Sequence, residues 1–166
     1  YERIAGAKTA CLMSSACELG ARYPEGGVSS ERDAYGDEMA AYGWEIGLAF
    51  QIVDDCLDLE GDPEKVGKSL GVDAEDGKIT LPVLAVYRDA DESIREKIRE
   101  VYTAPGLDRR AARLHDVCDV NLGVEVAMAR AKDLVDSAIA RVSALPKSAS
   151  RRALIEIGDY VLVRKW

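Results

Sequence analysis

The sequence is short of positive charge: 22 Lys and Arg stand against 30 Asp and Glu, a net charge of −8. A nucleic-acid backbone wants a basic face in its partner, and this chain has no such surplus. An anionic small molecule is still admissible, provided that lysines or bound cations overcome the background field at one place. Histidine is nearly absent. His115 stands alone and has no glutamate three residues before it, so the Glu-x-x-His pairs of a di-iron bundle are missing; it reads as a surface or capping residue. The four cysteines, Cys11, Cys17, Cys56 and Cys118, form no CxxC pair and are widely spaced, which fits reduced thiols in a cytoplasmic protein. No apolar run approaches the roughly 18 residues of a membrane span, and no signal peptide opens the chain. No internal repeat of solenoid length is present. The sequence begins at Tyr1 rather than at a methionine, and reads as a fragment or a processed chain.

What is there suits a helical domain. A length of 166 residues, 48% of them hydrophobic and 31% charged, describes one domain with room for a core. The pattern predicts a first helix over residues 1–21, with Ile4, Leu12 and Leu19 among its larger apolar residues. It stops before the breaker Tyr23-Pro24-Glu25-Gly26-Gly27. Ser29 and Ser30 then offer N-caps ahead of Glu31 and Asp33. Over 31–60, Met39, Tyr42, Ile46, Phe50, Val53 and Leu57 recur every three or four residues, the helical period. Residues 61–77 read as a loop rich in glycine and charge. Further helices are expected over 79–89, with Pro82 tolerated in the first turn, and over 91–102, 108–118, 124–145 and 147–165. Pro105-Gly106, Asn121-Leu122-Gly123 and Pro146 separate them. No stretch alternates with a period of two, so the expected fold is an all-α antiparallel bundle forming a single domain over 1–166.

The chemistry concentrates at Asp54-Asp55-Cys56-Leu57-Asp58. At about 100° per residue, Gln51, Asp54, Asp55 and Asp58 share roughly a 100° arc of one helix, beside the apolar arc. Like charges one turn apart repel by roughly 0.2–0.5 kcal/mol per pair, a cost met by solvation or by a bridging divalent cation. Magnesium prefers such hard oxygen ligands and takes one or two carboxylates plus phosphate oxygens and water. Alone, DDxxD reads as a solvated acidic face. Lysines in the glycine-rich segment 61–78, at Gly67-Lys68-Ser69 and Gly77-Lys78, add the complementary half of a diphosphate site. Two other schemes fail in detail. The leading glycine of a P-loop would fall on Asp62, and the sixth-position glycine of an EF-hand loop would fall on Pro63.

These pieces, in this order, resemble the trans-isoprenyl diphosphate synthases (the polyprenyl synthetase family). They are Lys8-Thr9-Ala10, Ala16-Cys17-Glu18-Leu19-Gly20-Ala21, Tyr42-Gly43 through Gly47, and Phe50-Gln51-Ile52-Val53-Asp54-Asp55-x-x-Asp58. Gly67-Lys68-x-x-Gly71-x-Asp73 and Gly77-Lys78-x-Thr80-Leu81-Pro82 follow. The strong match covers about 8–83, and the chain ends in Tyr160-Val161-Leu162-x-Arg164 much as members of the family do. The resemblance implies a bundle of the isoprenoid synthase type, usually a homodimer, in which magnesium ions grip the diphosphate of an allylic substrate. Its ionisation leaves a carbocation that isopentenyl diphosphate attacks, and loss of a proton completes elongation by five carbons.

Carried over, the resemblance makes Asp54 and Asp58 metal ligands and Asp55 a ligand or an orienting residue. Lys8 and Lys68 would contact the allylic diphosphate, with Lys78 near it. Thr9 and Gln51 would lie close to the carbocation, and Phe50 would offer it a π-face. Arg164 and Lys165 resemble a basic end that closes over isopentenyl diphosphate. Without the family, Phe50 reads as core, Lys8 as a solvated charge, Arg164 and Lys165 as complements to a helix dipole, and Asp73, Glu75 and Asp76 as loop solvation. The family's first aspartate-rich motif belongs before Lys8 and does not occur here, so these residues would hold half of a metal site and be inactive alone. Helices that lack neighbours would keep exposed apolar stripes, favouring a homodimer or association with an N-terminal half. The competing readings are a non-catalytic partner subunit of a synthase and, less well matched by Lys8 and the Gly-Lys loop, a terpene cyclase. The alanine after Lys8-Thr9 and the Ala16–Ala21 stretch lean towards medium- or long-chain synthases.

Overall fold

The computed structural model describes residues 1–23, 30–60 and 71–164, with the backbone alone for 30–34. All regular structure among the described residues is helical. In chain order the elements are α1 (Glu2–Ala5), a π-helical turn (Gly6–Ala10), α2 (Cys11–Arg22), α3 (Ser30–Glu60) and α4 (Val72–Glu75). Then come α5 (Leu81–Asp89), α6 (Glu92–Thr103), α7 (Arg110–Val117), α8 (Val120–Ser143) and α9 (Ala149–Val163). Helix starts follow local chemistry. Asp91 accepts the Ile94 N–H at 2.9 Å to begin α6, and Ser148 accepts the Arg151 N–H at 3.0 Å to begin α9. No helix among the described residues is long and apolar enough to cross a membrane.

The chain divides into two compact units. One comprises residues 1–51 and 130–164. Here the early helices meet α3 at very close range, because glycine and alanine line the seam. A Cβ on Gly47 would lie 2.6 Å from the Ala10 Cα, and one on Gly43 would fall on the Met13 carbonyl. Tyr42, Ile46, Leu48 and Ala49 bury beside that seam, with Val135, Ala138, Val142 and Val161 among the other buried residues of the unit. Arg141 ties α8 to α3 through Glu38 at 2.8 Å and Glu45 at 3.0 Å. Ile4 and Leu12, among the larger apolar residues of the early helices, are 71% and 70% exposed, and Leu19 is exposed as well.

Tyr42 Oη donates to the Leu154 carbonyl at 2.8 Å. Burial, with a smaller push from Cys17, raises the phenol to about 12. A raised folded-state pKa means that the neutral form is the one the fold favours. The stabilisation is therefore complete below the ordinary value of 10 and is lost as pH climbs through about 12. Chemical denaturation at stepped pH should show stability falling across this window in the wild type. The fall should shrink in Tyr42→Phe, and an identical alkaline slope in both proteins would assign it to another group.

The second unit is residues 52–129. Leu59, Ala74, Val83, Ile98, Val101, Leu114 and Val120 form its core, with Tyr87, Tyr102 and Val117 packed around them. Two expectations are corrected here. Residues 121–123 do not break the chain but lie inside α8, since Gly123 is needed where the helix backbone passes the Pro82 carbonyl: a Cβ would land on that oxygen. Residues 72–75 are not loop but the short helix α4, entered through Gly71 at φ 73°.

Candidate functional site

The Phe50-Gln51 step of α3 lies in the first unit and is held by residues distant in sequence. Thr9 Oγ1 donates to Gln51 Oε1 at 2.8 Å, so two residues expected in one place are brought there. Thr9 sits in the π-helical turn, where the wider winding locally changes which side chains face the neighbouring helix. Gln51 is 8% exposed. Lys8, in the same turn, is exposed, as a side chain awaiting an anion would be. Phe50 is half-buried. Its carbonyl accepts from Arg164 Nη2 at 2.8 Å, and the Arg164 guanidinium lies 3.9 Å from its ring centroid.

The aspartates follow one and two turns later on α3, in the second unit. They differ in environment. Asp55 is buried, at 4% exposure, while Asp54 and Asp58 are partly open. Asp58 accepts the Val72 N–H at 3.2 Å on one oxygen and the Asp73 N–H at 3.0 Å on the other, so it caps α4. Burial is the largest influence on the Asp58 carboxyl and pushes it up. The two amides pull it back, and the carboxylates of Asp73 and Asp54 push it further up. Cys56, between the aspartates, is raised to about 12 by burial and then by Asp55 and Glu60. It stays a neutral thiol and leaves the helix a set of hard oxygen donors.

Among the described residues, no three Asp, Glu, His or Cys side chains make a closed metal cage. Magnesium draws most of its ligands from phosphate and water and needs only one or two carboxylates. Asp54 and Asp58, partly open and one turn apart, fit that requirement.

Lys78 is exposed and clamped by Asp73 and Asp76, each at 2.9 Å, which together hold its ammonium charged well above the usual range. Sequence reasoning had set Asp73, Glu75 and Asp76 aside as loop solvation. Instead Asp73 joins Asp58 to Lys78, and Glu75 accepts the Ala111 N–H at 3.2 Å, capping α7 from outside it. The Gly71-x-Asp73 spacing was the available signal for the first of these. His115 is exposed, as expected. Lys68 and Lys165 lie outside the described residues.

Among the described residues the chain is helical, and its longest helix carries the Phe50-Gln51 step and then the aspartates. Residues 1–116 match the Polyprenyl synthetase family, and the chain belongs to that family. It is 37% identical over 165 residues to a short chain isoprenyl diphosphate synthase of Methanothermobacter thermautotrophicus, covering 99% of this chain and 49% of that protein. Its structure is similar to that of a decaprenyl diphosphate synthase from Rhodobacter capsulatus, with a TM-score of 0.82 and 30% identity over 100% of this chain and 50% of that one. A polyprenyl synthase from Caulobacter crescentus, solved with calcium and isoprenyl diphosphate, is similar with a TM-score of 0.82. It is 31% identical over 100% of this chain and 49% of that one. The chain thus spans about half the length of the curated relatives it matches.

Proposed function

We propose that the chain supplies the second aspartate-rich half of a trans-prenyl diphosphate synthase, a cytoplasmic enzyme that elongates an allylic diphosphate with isopentenyl diphosphate. The observation that carries this reading is the run of environments along α3, with Phe50 and Gln51 held by remote residues, Asp55 buried, and Asp54 and Asp58 half-buried.

Asp54 and Asp58 would hold magnesium. Bound there, the ion supplies charge stabilisation to the departing diphosphate as the C–O bond breaks. Lys8 and Lys68 contact the same diphosphate as point charges. Lys78 joins them by leaving Asp73 and Asp76, exposed ion pairs that cost little to break. Gln51, oriented by the Thr9 hydroxyl, sets a fixed dipole beside the allylic cation, and Phe50 supplies aromatic electron density to it. Elongation needs a second aspartate cluster facing this one, contributed by further sequence or by a partner chain, and the working form is a homodimer. The exposed Ile4, Leu12 and Leu19 are consistent with such association.

Calorimetry on this chain tests the metal reading directly. Magnesium alone should bind weakly, and inorganic pyrophosphate should tighten it about tenfold or more, because the anion brings oxygens and charge balance. Independent binding of the two would return the aspartates to solvation.

A further inference from the structure

Arg164 is where the sequence reading and the geometry part. A cation kept for a diphosphate should extend into solvent, as Lys8 does. Arg164 is 8% exposed at the end of α9, with Nη2 committed to the Phe50 carbonyl and its guanidinium over the Phe50 ring at 3.9 Å. Its own N–H donates to the Tyr160 carbonyl at 3.1 Å, which fixes the backbone from which the side chain departs. Thr9 meanwhile fixes the next residue, Gln51. The Phe50-Gln51 step is therefore gripped from two remote parts of the chain, by ring and carbonyl at Phe50 and by the amide oxygen at Gln51.

We infer that Arg164 is a positioning residue of the transfer reaction, acting through Phe50, and not a contact for isopentenyl diphosphate. This rests on the functional reading above. A half-buried phenyl ring turns about two torsions, and its value to a developing positive charge depends on presenting its face. A planar guanidinium stacked on the ring limits those torsions in a way that a compact ammonium does not. Arg164 thus sets the orientation of the group that faces the cation, from a buried position already committed to Phe50.

The test uses an active synthase preparation containing this chain, with Arg164→Gln, Arg164→Lys, Phe50→Leu and the double variants. Arg164→Gln should lower kcat about tenfold while both KM values stay within about twofold. Arg164→Lys, which keeps the charge but not the plane, should recover only part of the loss. In the Phe50→Leu background, Arg164→Gln should cost less than about twofold, since the residue it acts through is gone. A tenfold rise in the KM for isopentenyl diphosphate at unchanged kcat overturns the inference, as does an undiminished penalty in the Phe50→Leu background. Where Arg164→Gln fails to fold, Arg164→Lys decides by the same split between KM and kcat. A wild-type preparation without prenyl transfer defeats the functional reading and the catalytic role with it. The clamp is then judged on thermal unfolding of the 166-residue chain: non-additive shifts for Arg164→Lys and Phe50→Leu support it, and additive shifts overturn it.

Discussion

Replacing Asp54 by alanine in the active synthase should lower turnover about a thousandfold, the scale on which one preorganised transition-state partner is lost. The fold should survive. Asp54 is a partly open residue inside the C-terminal part of a long helix, alanine is the best helix former, and one like-charge neighbour of Asp58 disappears. The loss should fall on kcat, because the departing diphosphate gains negative charge only as the bond breaks. Lys68→Ala should cost less, since other cations remain on the same anion. Steady-state kinetics with circular dichroism checks both halves. Near-normal turnover in Asp54→Ala would remove it from the ligand set, and a lost helical signal would mean that the residue holds structure instead.

The largest stability effect should come from a single methyl group. Gly43→Ala places its Cβ on the Met13 carbonyl and 2.9 Å from the Ser14 Cα, backbone atoms that cannot rotate aside. Overpacking of this kind costs about 1–3 kcal/mol, which lowers Tm by roughly 2–12 °C in a domain of this size. The same substitution at Gly20 meets nothing within 4 Å inside α2. It should stabilise, by about 0.5–1 kcal/mol from helix propensity. Differential scanning fluorimetry on the two variants should therefore give shifts of opposite sign. Equal shifts would show that the α2–α3 seam yields more readily than its geometry implies.

Much of the helical layout was legible because a period of 3.6 and the usual capping residues are local signals. Asp91, Ser148 and Pro82 stand where helix starts were expected. Glycine was the weak point. A glycine that ends a helix and one that lets another backbone approach look alike in sequence, and Gly123 is of the second kind. The aspartate helix was readable as one arc of side chains, but the arc could not show that Asp55 is buried or that Asp58 caps α4. The cap depends on residues 14 and 15 positions further on, and helical periodicity carries no information over a turn of that kind. Family resemblance put Thr9 and Gln51 in one neighbourhood, but their hydrogen bond is seen only in the structure. That of Arg164 with Phe50, 114 residues apart, has no signal in the sequence. Tertiary partners of single polar groups leave no trace in composition or period.

The π-helical turn at Gly6–Ala10 makes the N-terminal helix a spliced rod rather than a uniform one. One additional residue in a turn displaces everything upstream by about 100° around the axis, so Ile4 and Leu12 do not keep the angular relation their spacing of eight would give in an ordinary α-helix. Deleting one residue there would let the turn wind as ordinary α-helix, with α1 and α2 keeping their faces and only the side chains between them re-aimed. In evolutionary terms the turn is a joint at which a single-codon insertion or loss re-aims a few side chains, Lys8 and Thr9 among them, without redesigning the helix that carries them. Chimeras between relatives should cross over outside 6–10, because fragments that differ in this winding are out of phase however well their letters align.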